Sequence, residues 1–417
     1  MSCFRITGGR KLGGTVTVQG AKNSVLPILA ASLLTGGESV IRNCPRLTDV
    51  DAAVRILEHL GCTTERFGTS LYIDSRLLSR CDIPERLMKE MRSSVIFLGA
   101  ILSRTGEARL SPPGGCELGP RPIDLHISAL RTMGADIITD GDSILCRGAD
   151  LHGCTITFPF PSVGATENAI LAAVSAEGTV ILQNAACEPE IWDLQEYLRK
   201  AGAHISGAGT PCITIEGRKC GGFVSHRVIP DRIAAATFLS AAAVAGGTVE
   251  VRGIGPWWLR TVTEPLAQMG CTVRERQDRV TVTSGGRLSS PGLIRTAPYP
   301  GFPTDSQPAL MAACLRAKGT TVFSETIFSD RYRHVPGFLR LGANIETSGS
   351  IALVRGVERL TAAKLCSADL RGGAAYTVAA LGAEGVSEIT ELHHIDRGYE
   401  DLCGSLRSLG ANIERMN

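Results

Sequence analysis

The 417-residue chain lacks the long apolar segment that a membrane helix requires. No run approaches about 18 consecutive apolar residues, and the first twenty residues contain no apolar core of the kind a secretory signal carries. The Ala-rich stretch at 232–247 is short and begins with Arg232, so it predicts a buried helix. We therefore expect a cytoplasmic protein that does not bind membranes.

The chain also lacks an excess of charge of either sign. Its 43 Lys and Arg residues nearly balance 41 Asp and Glu residues, which leaves a formal net charge of +2. Proteins that bind nucleic acids generally carry a pronounced basic excess. We therefore expect no nucleic-acid partner.

Paired cysteines are missing as well. The 14 cysteines include no CxxC pair, and no Cys/His/carboxylate cluster has the spacing of metal ligands. Disulfides are not expected in a reducing cytosol. Most cysteines stand where a small apolar residue would fit a core, so we expect a packing role for them and no bound metal.

Cys116 is the exception. It lies in "SPPGGCELGPRP", residues 111–122, which contains four prolines and three glycines. This composition excludes a helix or a central strand and predicts a surface loop. A thiol in such a loop is either a bystander or a reagent.

A repeated phrase organises the rest of the chain. An amphipathic helix that ends in apolar-Gly-small occurs six times, and its glycines recur every 68 to 73 residues. A spacing this regular indicates an internal repeat. Each glycine has the place of a left-handed helix C-cap. The six glycines are Gly61, Gly134, Gly202, Gly270, Gly342 and Gly410.

Each repeat predicts the order β-α-β-α-β-β. Its first helix is almost entirely apolar, which is typical of a helix buried on all sides, whereas the second is amphipathic. The length of the chain favours two domains. We therefore predict an α/β (α+β) fold with two inside-out domains of three repeats each, with helices inside and sheets outside.

We expect residues 22–230 to form one domain and residues 1–21 with 231–417 to form the other. The strands predicted at the N-terminus precede the first full repeat, and we expect them to pair with the last one.

The apolar helices begin with polar residues. Capping accounts for Ser162 and Asp369. It does not account for Lys22, Arg232 and Arg371, because a cation at the positive end of a helix opposes the helix dipole. Anions bind well at helix starts, so these cations predict an anionic ligand, which would lie in the cleft between the domains if the helix starts converge there.

Eight motifs give the chain a family likeness. Together they resemble the UDP-N-acetylglucosamine 1-carboxyvinyltransferase family of enolpyruvyl transferases essentially from end to end. The cysteine loop distinguishes this family from the related shikimate-pathway transferase. The motifs are "GAKNSVLP", "PPGGCELGPRPIDLH", "SVGATEN", "PDRI", "RTAPYPGFPTDSQ", "ETIFSDRYRH", "ADLR" and "HIDRGYE".

The resemblance implies the reaction that opens bacterial peptidoglycan synthesis. The 3-hydroxyl of the sugar adds to C2 of phosphoenolpyruvate while C3 is protonated, and phosphate then leaves as C3 loses a proton. It also implies small-molecule substrates, no metal or organic cofactor, and a monomer or weak oligomer.

The resemblance also implies roles for residues that match the motifs. Cys116 would protonate C3, Asp305 would act as the base on the sugar hydroxyl, and Lys22 and Arg397 would be catalytic cations. Phosphoenolpyruvate would also contact Asn23, Arg92 and Arg121. The uridine diphosphate site would comprise Arg121, Pro122, Ile123, Asp124, Leu125, Ser162, Val163 and Gly164. Further substrate contacts would come from Thr166, Arg232, Ile327, Arg331, Asp369 and Arg371.

Three alternatives remain open from the residues alone. The acceptor could be shikimate 3-phosphate, which the cysteine loop and "RPIDLH" disfavour. The chain could be a non-catalytic protein that binds UDP-sugars, although Cys116, Lys22, Arg397 and Asp305 are all present. It could also be a solenoid scaffold, which would not need charged helix starts. The Trp257-Trp258 pair departs from the family pattern.

Overall fold

The computed structural model describes residues 2–111, 123–140, 143–148, 150–218 and 220–416, with only the backbone described at Arg92 and Asp140. These residues form two compact units. The middle unit contains residues 20–111 and 123–229, and the terminal unit contains residues 2–19 and 230–416. The chain passes from one unit to the other after Gln19 and after Ile229.

The described residues contain 13 α-helices and 26 strands. The helices are α1 (Lys22–Ala31), α2 (Thr48–His59), α3 (Glu85–Glu90), α4 (Phe97–Thr105), α5 (Asp124–Thr132), α6 (Val163–Ala173), α7 (Pro189–Lys200), α8 (Arg232–Ala245), α9 (Arg260–Gln268), α10 (Gln307–Cys314), α11 (Val335–Arg340), α12 (Leu370–Ala380) and α13 (Leu402–Ser408). Short 3-10 helices span Ser32–Thr35, Arg92–Ile96, Pro256–Trp258, Thr304–Ser306, Arg331–His334 and Leu392–Arg397.

The strands are mostly three to six residues long. They are β1 (Cys3–Thr7), β2 (Leu12–Thr17), β3 (Glu38–Arg42), β4 (Thr63–Phe67), β5 (Ser70–Asp74), β6 (Asp82–Ile83), β7 (Glu107–Leu110), β8 (Asp136–Asp140), β9 (Ser143–Arg147), β10 (Thr155–Thr157), β11 (Thr179–Gln183), β12 (His204–Ser206), β13 (Cys212–Glu216), β14 (Val224–Arg227), β15 (Gly247–Arg252), β16 (Thr272–Arg276), β17 (Arg279–Ser284), β18 (Leu293–Arg295), β19 (Thr320–Ser324), β20 (Asn344–Ser348), β21 (Ile351–Arg355), β22 (Leu360–Thr361), β23 (Lys364–Cys366), β24 (Ala383–Glu384), β25 (Val386–Thr390) and β26 (Asn412–Met416).

Six four-stranded sheets share one pattern. A leading strand runs parallel to the second strand, and an antiparallel pair follows, as in the sheet ordered β10-β11-β13-β12. The predicted α/β class is confirmed, and the third repeat has the predicted order β10-α6-β11-α7-β12-β13. The other sheets of the middle unit are β14-β3-β5-β4 and β6-β7-β9-β8, and those of the terminal unit are β16-β17-β15-β2, β18-β19-β21-β20 and β23-β25-β1-β26.

The two N-terminal strands join different sheets. β1 lies between β25 and β26 of the last repeat, where Ile6 pairs with Ser387 and Ile413. β2 instead runs parallel to β15 in the fourth repeat, so the expectation was right for β1 and wrong for β2. The reason is an exchange: β14, the strand that precedes α8 in the sequence, leads the sheet of β3. The sheet of β15 therefore takes β2 as its leading strand.

The first helix of each repeat is buried on almost every side. In the middle unit α4 packs against α1 and α6, and in the terminal unit α8, α10 and α12 pack against one another. Ala is the most frequent residue in α6, α8 and α12, which allows close approach and offers water no polar face. The charged side chains of these three helices lie in the first two turns.

Two glycines show that the repeats agree in atomic detail. A Cβ added to Gly217 would lie 1.6 Å from the carbonyl oxygen of Ala176, and one added to Gly356 would lie 1.6 Å from that of Ala317. Each glycine follows the last strand of its repeat, and each Ala follows the buried helix. The sheet can therefore close on the helix end only if this residue has no side chain.

We predict that Gly356→Ala lowers the melting temperature by several degrees, because the added methyl group collides with backbone that has no rotamer to change. Overpacking of this kind typically costs about 1–3 kcal/mol. Gly285→Ala is the matched control, since its Cβ would meet nothing within 4 Å. Equal melting temperatures for the two variants would contradict the prediction.

Candidate active site

A carboxylate held between two arginines forms the centre of the site in the terminal unit. Asp305 lies in the 3-10 helix that precedes α10. Its Oδ2 accepts hydrogen bonds from Arg371 Nε and Nη2 at 3.2 and 3.0 Å, and its Oδ1 accepts one from Arg331 Nη2 at 3.3 Å. The side chain of Asp305 is 27% exposed, whereas those of Arg331 and Arg371 are 1% and 5% exposed. The carboxylate is therefore the most exposed of these three charged groups.

The two arginines are fixed by further contacts. Arg331 donates from Nε and Nη2 to the carbonyl oxygen of Thr304, at 3.1 and 2.7 Å. Burial acts to lower the pKa of Arg371, but Asp305, Tyr399 and Asp231 together outweigh it and raise the pKa above its ordinary value. Among the described residues, Nη1 of each arginine is buried without a hydrogen-bond partner. These donors are the kind that recognise an anion.

The start of α12 completes this cluster. Asp369 caps the helix by accepting from the backbone N–H groups of Arg371 and Gly372, both at 2.9 Å. The Arg371 guanidinium also lies 5.9 Å from the centre of the Tyr399 ring, whose hydroxyl is 2.8 Å from Thr237 Oγ1. His334 Nδ1–H donates to the Arg331 carbonyl oxygen at 3.1 Å, and burial lowers the pKa of His334 to about 4. His334 is therefore neutral at physiological pH.

Glu325 connects Ile327 to the segment that carries Asp305. Its Oε1 accepts from the N–H of Ile327 at 2.9 Å, and its Oε2 accepts from the Thr304 hydroxyl at 3.1 Å. The sequence analysis named Ile327 and Asp305 but not Glu325. This buried carboxylate stands in a loop after β19, and nothing in its local pattern distinguishes it from a surface Glu.

Arg232 and Arg397 lie elsewhere in the terminal unit. Arg232 is the first residue of α8, directly after the cap Asp231, and its guanidinium lies 5.7 Å from the centre of the Tyr299 ring. Arg397 ends the 3-10 helix Leu392–Arg397 and is half-buried. Gln19 supports that helix end by donating to the Gly398 carbonyl oxygen at 3.0 Å.

Lys22 and Asn23 open α1 in the middle unit. The Lys22 ammonium lies 2.5 Å from Asp49 Oδ2, in the first turn of α2, and the two side chains are 11% and 2% exposed. The cation that opposes the dipole of α1 is thus balanced by a protein carboxylate. The dipole alone therefore does not require an external anion here, and Asp49 is a residue that the sequence analysis missed.

The segments predicted to bind uridine diphosphate meet at His126. Ser162 caps α6 by accepting from the N–H of Ala165, and Gly164 packs so closely on His126 that an added Cβ would lie 3.0 Å from its ring. Asn168 Nδ2–H donates to His126 Nδ1 at 2.8 Å, which leaves the ring proton on Nε2. The sequence analysis stopped one residue short of His126.

The remaining predicted residues of this region differ in exposure. Asp124 is exposed in the first turn of α5, while Ile123, Leu125 and Val163 are half-buried. Thr166 is buried, and its hydroxyl accepts from the N–H of Ala186 at 3.1 Å. Cys116, Arg121 and Pro122 lie outside the described residues, as does the side chain of Arg92.

Two depressions are lined by residues outside the Asp305 cluster. One of about 490 Å³ lies over α5 and includes Asp124 and Arg131. The other, of about 280 Å³, lies at the C-terminal ends of α8 and α10 and is lined by Lys11, Arg287 and Arg316. Arg287 and Arg316 donate to backbone carbonyls there, so helix ends account for these two cations.

The described residues contain no group of three or more His, Cys, Asp or Glu side chains that could hold a metal ion. Within the same ranges no helix is both long and apolar enough to cross a membrane. The 13 cysteines in the described part of the chain are all free, and two of them, Cys212 and Cys366, are exposed rather than packed in a core.

Comparison with known proteins shows which class of protein has this fold. Solved structures give the class: the enolpyruvyl transferase NikO from Streptomyces tendae has a TM-score of 0.90 and 27% identity, covering 100% of this chain and 99% of its own. EPSP synthase from Acinetobacter baumannii has a TM-score of 0.76 at 22% identity, covers both chains completely, and shows the shared fold. The family model EPSP synthase (3-phosphoshikimate 1-carboxyvinyltransferase) matches residues 6–406.

Full-length relatives narrow the class. A UDP-N-acetylglucosamine 1-carboxyvinyltransferase 2 of Caldanaerobacter subterraneus subsp. tengcongensis is 45% identical over 416 residues and covers 100% of both chains. A UDP-N-acetylglucosamine 1-carboxyvinyltransferase 1 of Symbiobacterium thermophilum is 47% identical over 419 residues, covering 99% of this chain and 95% of its own. The chain therefore belongs to the EPSP synthase family and, within it, to the UDP-N-acetylglucosamine 1-carboxyvinyltransferases.

We predict that His126 makes stability depend on pH in the acid range. Burial lowers the pKa of His126 from 6.5 to about 4. As the pH falls from 7 towards 4, His126 is protonated in the unfolded chain but stays largely neutral in the folded chain. This difference lowers the free energy of unfolding by roughly 3 kcal/mol.

Urea unfolding at pH 7, 5.5 and 4.5 tests this. His126→Gln is expected to have a shallower pH dependence than the wild type, whatever its stability at pH 7. His204→Gln is the control, because the His204 side chain is 51% exposed. Parallel pH curves for His126→Gln and the wild type would contradict the prediction.

Proposed function

We propose that this protein transfers the enolpyruvyl group of phosphoenolpyruvate to the 3-hydroxyl of UDP-N-acetylglucosamine and releases phosphate. This is the first committed step of peptidoglycan synthesis. The observation that carries the proposal is the full-length likeness, at 41–47% identity, to relatives that bear this enzyme's name. Transfer to shikimate 3-phosphate is less favoured, because the EPSP synthase structures share the fold at only 21–22% identity.

The reaction needs an acid, a base and an anion site. The sugar oxygen forms a bond to C2 of phosphoenolpyruvate, its proton passes to a base, and C3 receives a proton, which gives a tetrahedral phospho-ketal. C3 then loses a proton while the C2–O bond to phosphate breaks. Atoms and charge balance without an oxidant or a metal, and a cofactor has no step to perform.

Asp305 is the proposed base on the sugar hydroxyl. Its exposed face is where the hydroxyl would donate, and Arg331 and Arg371 fix both carboxylate oxygens. Proton transfer to the carboxylate is proposed to accompany the addition to C2 rather than precede it.

Cations are the proposed partners of phosphoenolpyruvate, which carries a phosphate and a carboxylate. Lys22 and Asn23 at the start of α1 would bind it together with Arg92, Arg121 and Arg397. Lys22 already has Asp49 beside it, so an arriving anion would share the ammonium with that carboxylate. An ammonium has three N–H donors and can serve both.

Cys116 is the proposed acid that protonates C3, and it could also add to C2 as a nucleophile. Arg121 to Leu125 and Ser162 to Gly164 are proposed to hold the uridine diphosphate. Thr166, Ile327 and Arg232 would contribute further contacts, with Asp369 supporting Arg371. We propose that the enzyme acts in the cytoplasm as a monomer or weak oligomer.

Phosphate release from phosphoenolpyruvate tests the proposed reaction. We expect release only when UDP-N-acetylglucosamine is also present, no release with shikimate 3-phosphate, and full activity in EDTA. Asp305→Asn is expected to lose at least about a hundredfold in kcat, since a general base contributes about 10²–10⁴-fold. Asp278→Asn is the control, because Asp278 is 60% exposed. Release supported by shikimate 3-phosphate alone would refute the assigned acceptor.

Alkylation by fosfomycin, an epoxide phosphonate that mimics phosphoenolpyruvate, tests the role of Cys116. We expect peptide mapping to find the label on Cys116 and labelling to quicken with UDP-N-acetylglucosamine. Burial raises the pKa of Cys314 to about 12 and of Cys271 to about 11, so these thiols are expected to remain inert.

Cys212 and Cys366 are both exposed in the structure, so they show how fast a thiol is labelled through exposure alone. Cys116→Asp keeps a proton donor and is expected to retain turnover but resist the epoxide, whereas Cys116→Ser is expected to lose most turnover. Label on Cys212 or Cys366 at a comparable rate, or a fully active Cys116→Ser enzyme, would make Cys116 a bystander.

A further inference from the structure

One buried carboxylate in the middle unit collects three hydrogen bonds. Asp193 of α7 accepts from the Ser24 hydroxyl and from the N–H of Ile229 (3.1 Å) on Oδ2, and from His226 Nε2 (2.8 Å) on Oδ1. Ser24, Asp193 and His226 are 0%, 1% and 3% exposed. Leaving a buried carboxylate unpaired is costly, so these donors hold its position firmly.

Lys200 determines which ring nitrogen of His226 accepts a hydrogen bond in this cluster. Its Nζ lies 3.1 Å from His226 Nδ1, and an ammonium can only donate, so Nδ1 accepts. The ring proton of neutral His226 is therefore on Nε2, where it faces Asp193. The cluster contains one negative and one positive charge, and each of its hydrogen bonds has a defined direction.

The cluster lies directly beside the proposed phosphoenolpyruvate residues. Ser24 is the third residue of α1, after Lys22 and Asn23, and the N-cap residue Ala21 provides no side-chain cap. The N–H of Ala21 donates instead to the carbonyl oxygen of Ile229 at 2.8 Å, and the N–H of Ile229 is the one that binds Asp193. The first turn of α1 is thus held by two contacts: Ser24 donates to Asp193, and Ala21 donates to Ile229, which itself donates to Asp193.

We propose that Asp193 is a positioning residue which, through Ser24, sets Lys22 and Asn23 against the anionic groups of phosphoenolpyruvate. This inference rests on the proposed function. Asp193 and Ser24 are buried and do not touch substrate, so their effect is on the placement of the turn. Misplacement of a binding group by a fraction of an ångström weakens charge-assisted hydrogen bonds and slows the reaction.

The chain offers a matched control for Ser24. Ser39 on β3 is 1% exposed, and its hydroxyl is 2.8 Å from the hydroxyl of Tyr197, one turn after Asp193 on the same helix α7. Both serines are buried, and both make one hydrogen bond to α7. Only Ser24 belongs to the turn that carries Lys22.

The experiment compares Ser24→Ala with Ser39→Ala in the full-length enzyme. Both variants are expected to lose a similar few degrees of melting temperature. Ser24→Ala is expected to raise KM for phosphoenolpyruvate by about tenfold and to leave KM for UDP-N-acetylglucosamine within about twofold, whereas Ser39→Ala changes neither by more than about twofold. Ser24→Thr, which keeps the hydroxyl, is expected to recover most of the loss.

Two results would overturn the proposal. One is the same kinetic change in Ser24→Ala and Ser39→Ala, which would mean a merely structural role. The other is a folded Ser24→Ala enzyme with an unchanged KM for phosphoenolpyruvate. Asp193→Asn replaces one acceptor oxygen by an amide N–H, which faces either the His226 donor or the Ser24 and Ile229 donors, so it is expected to show the same selective rise in KM if it folds.

Lys22→Ala, assayed in parallel, separates this inference from the proposed function. Loss of turnover in folded Lys22→Ala with no selective effect of Ser24→Ala would reject the positioning role alone. Normal turnover in Lys22→Ala would show that the start of α1 is not the phosphoenolpyruvate site. A wild-type enzyme without phosphate release would reject the proposed reaction itself.

Discussion

The burial of six helices with no polar face is the constraint on which the rest of the structure depends. A helix that is apolar all round must be enclosed, and in each unit the sheets enclose three of them. Their flanks offer nothing to a ligand. The first turns are different, because their N–H groups have no partner within the helix and polar side chains are tolerated there. Chemistry in this fold is therefore confined mainly to helix starts and the loops beside them.

The charges at those starts are governed by burial more than by helix dipoles. A cation at the wrong end of a dipole costs about 0.3–1 kcal/mol, whereas a buried charge without a partner costs several kcal/mol. The structure provides each buried cation with a partner. Lys22 pairs with Asp49, Arg371 pairs with Asp305, and Arg232 lies near the ring of Tyr299. A substrate anion would therefore join an ion pair that already exists, and would gain from donors that the protein partner leaves unused, such as Arg371 Nη1.

The sequence predicted the repeats, the buried helices and the α/β class because each produces a periodic local signal. It did not predict that β2 and β14 exchange sheets, since alternation of apolar residues shows that a strand is half-buried but not which strand it pairs with. Asp49, His126 and Asp193 were missed for a related reason. Each is one of several polar residues in an amphipathic helix. Its importance comes from a partner distant in sequence, such as Ser24 for Asp193.

Capping divides the six helix starts into two groups, and residues with proposed roles lie at starts of both kinds. Side chains cap α6, α8 and α12, whereas α1, α4 and α10 have no side-chain cap. The uncapped starts of α1 and α10 are the ones beside Lys22 and Asp305.

An uncapped start must be held in some other way, and both of these starts are held from outside the helix. For α1 the support is Asp193, acting on Ser24 and Ile229. Just before α10 it is Thr304, whose carbonyl oxygen accepts from Arg331 and whose hydroxyl donates to Glu325. In both cases the side chains that fix the backbone are buried and the group proposed for chemistry stands next to them. The buried first helix of a repeat can thus present a reactive group at a start that is braced by its neighbours rather than capped.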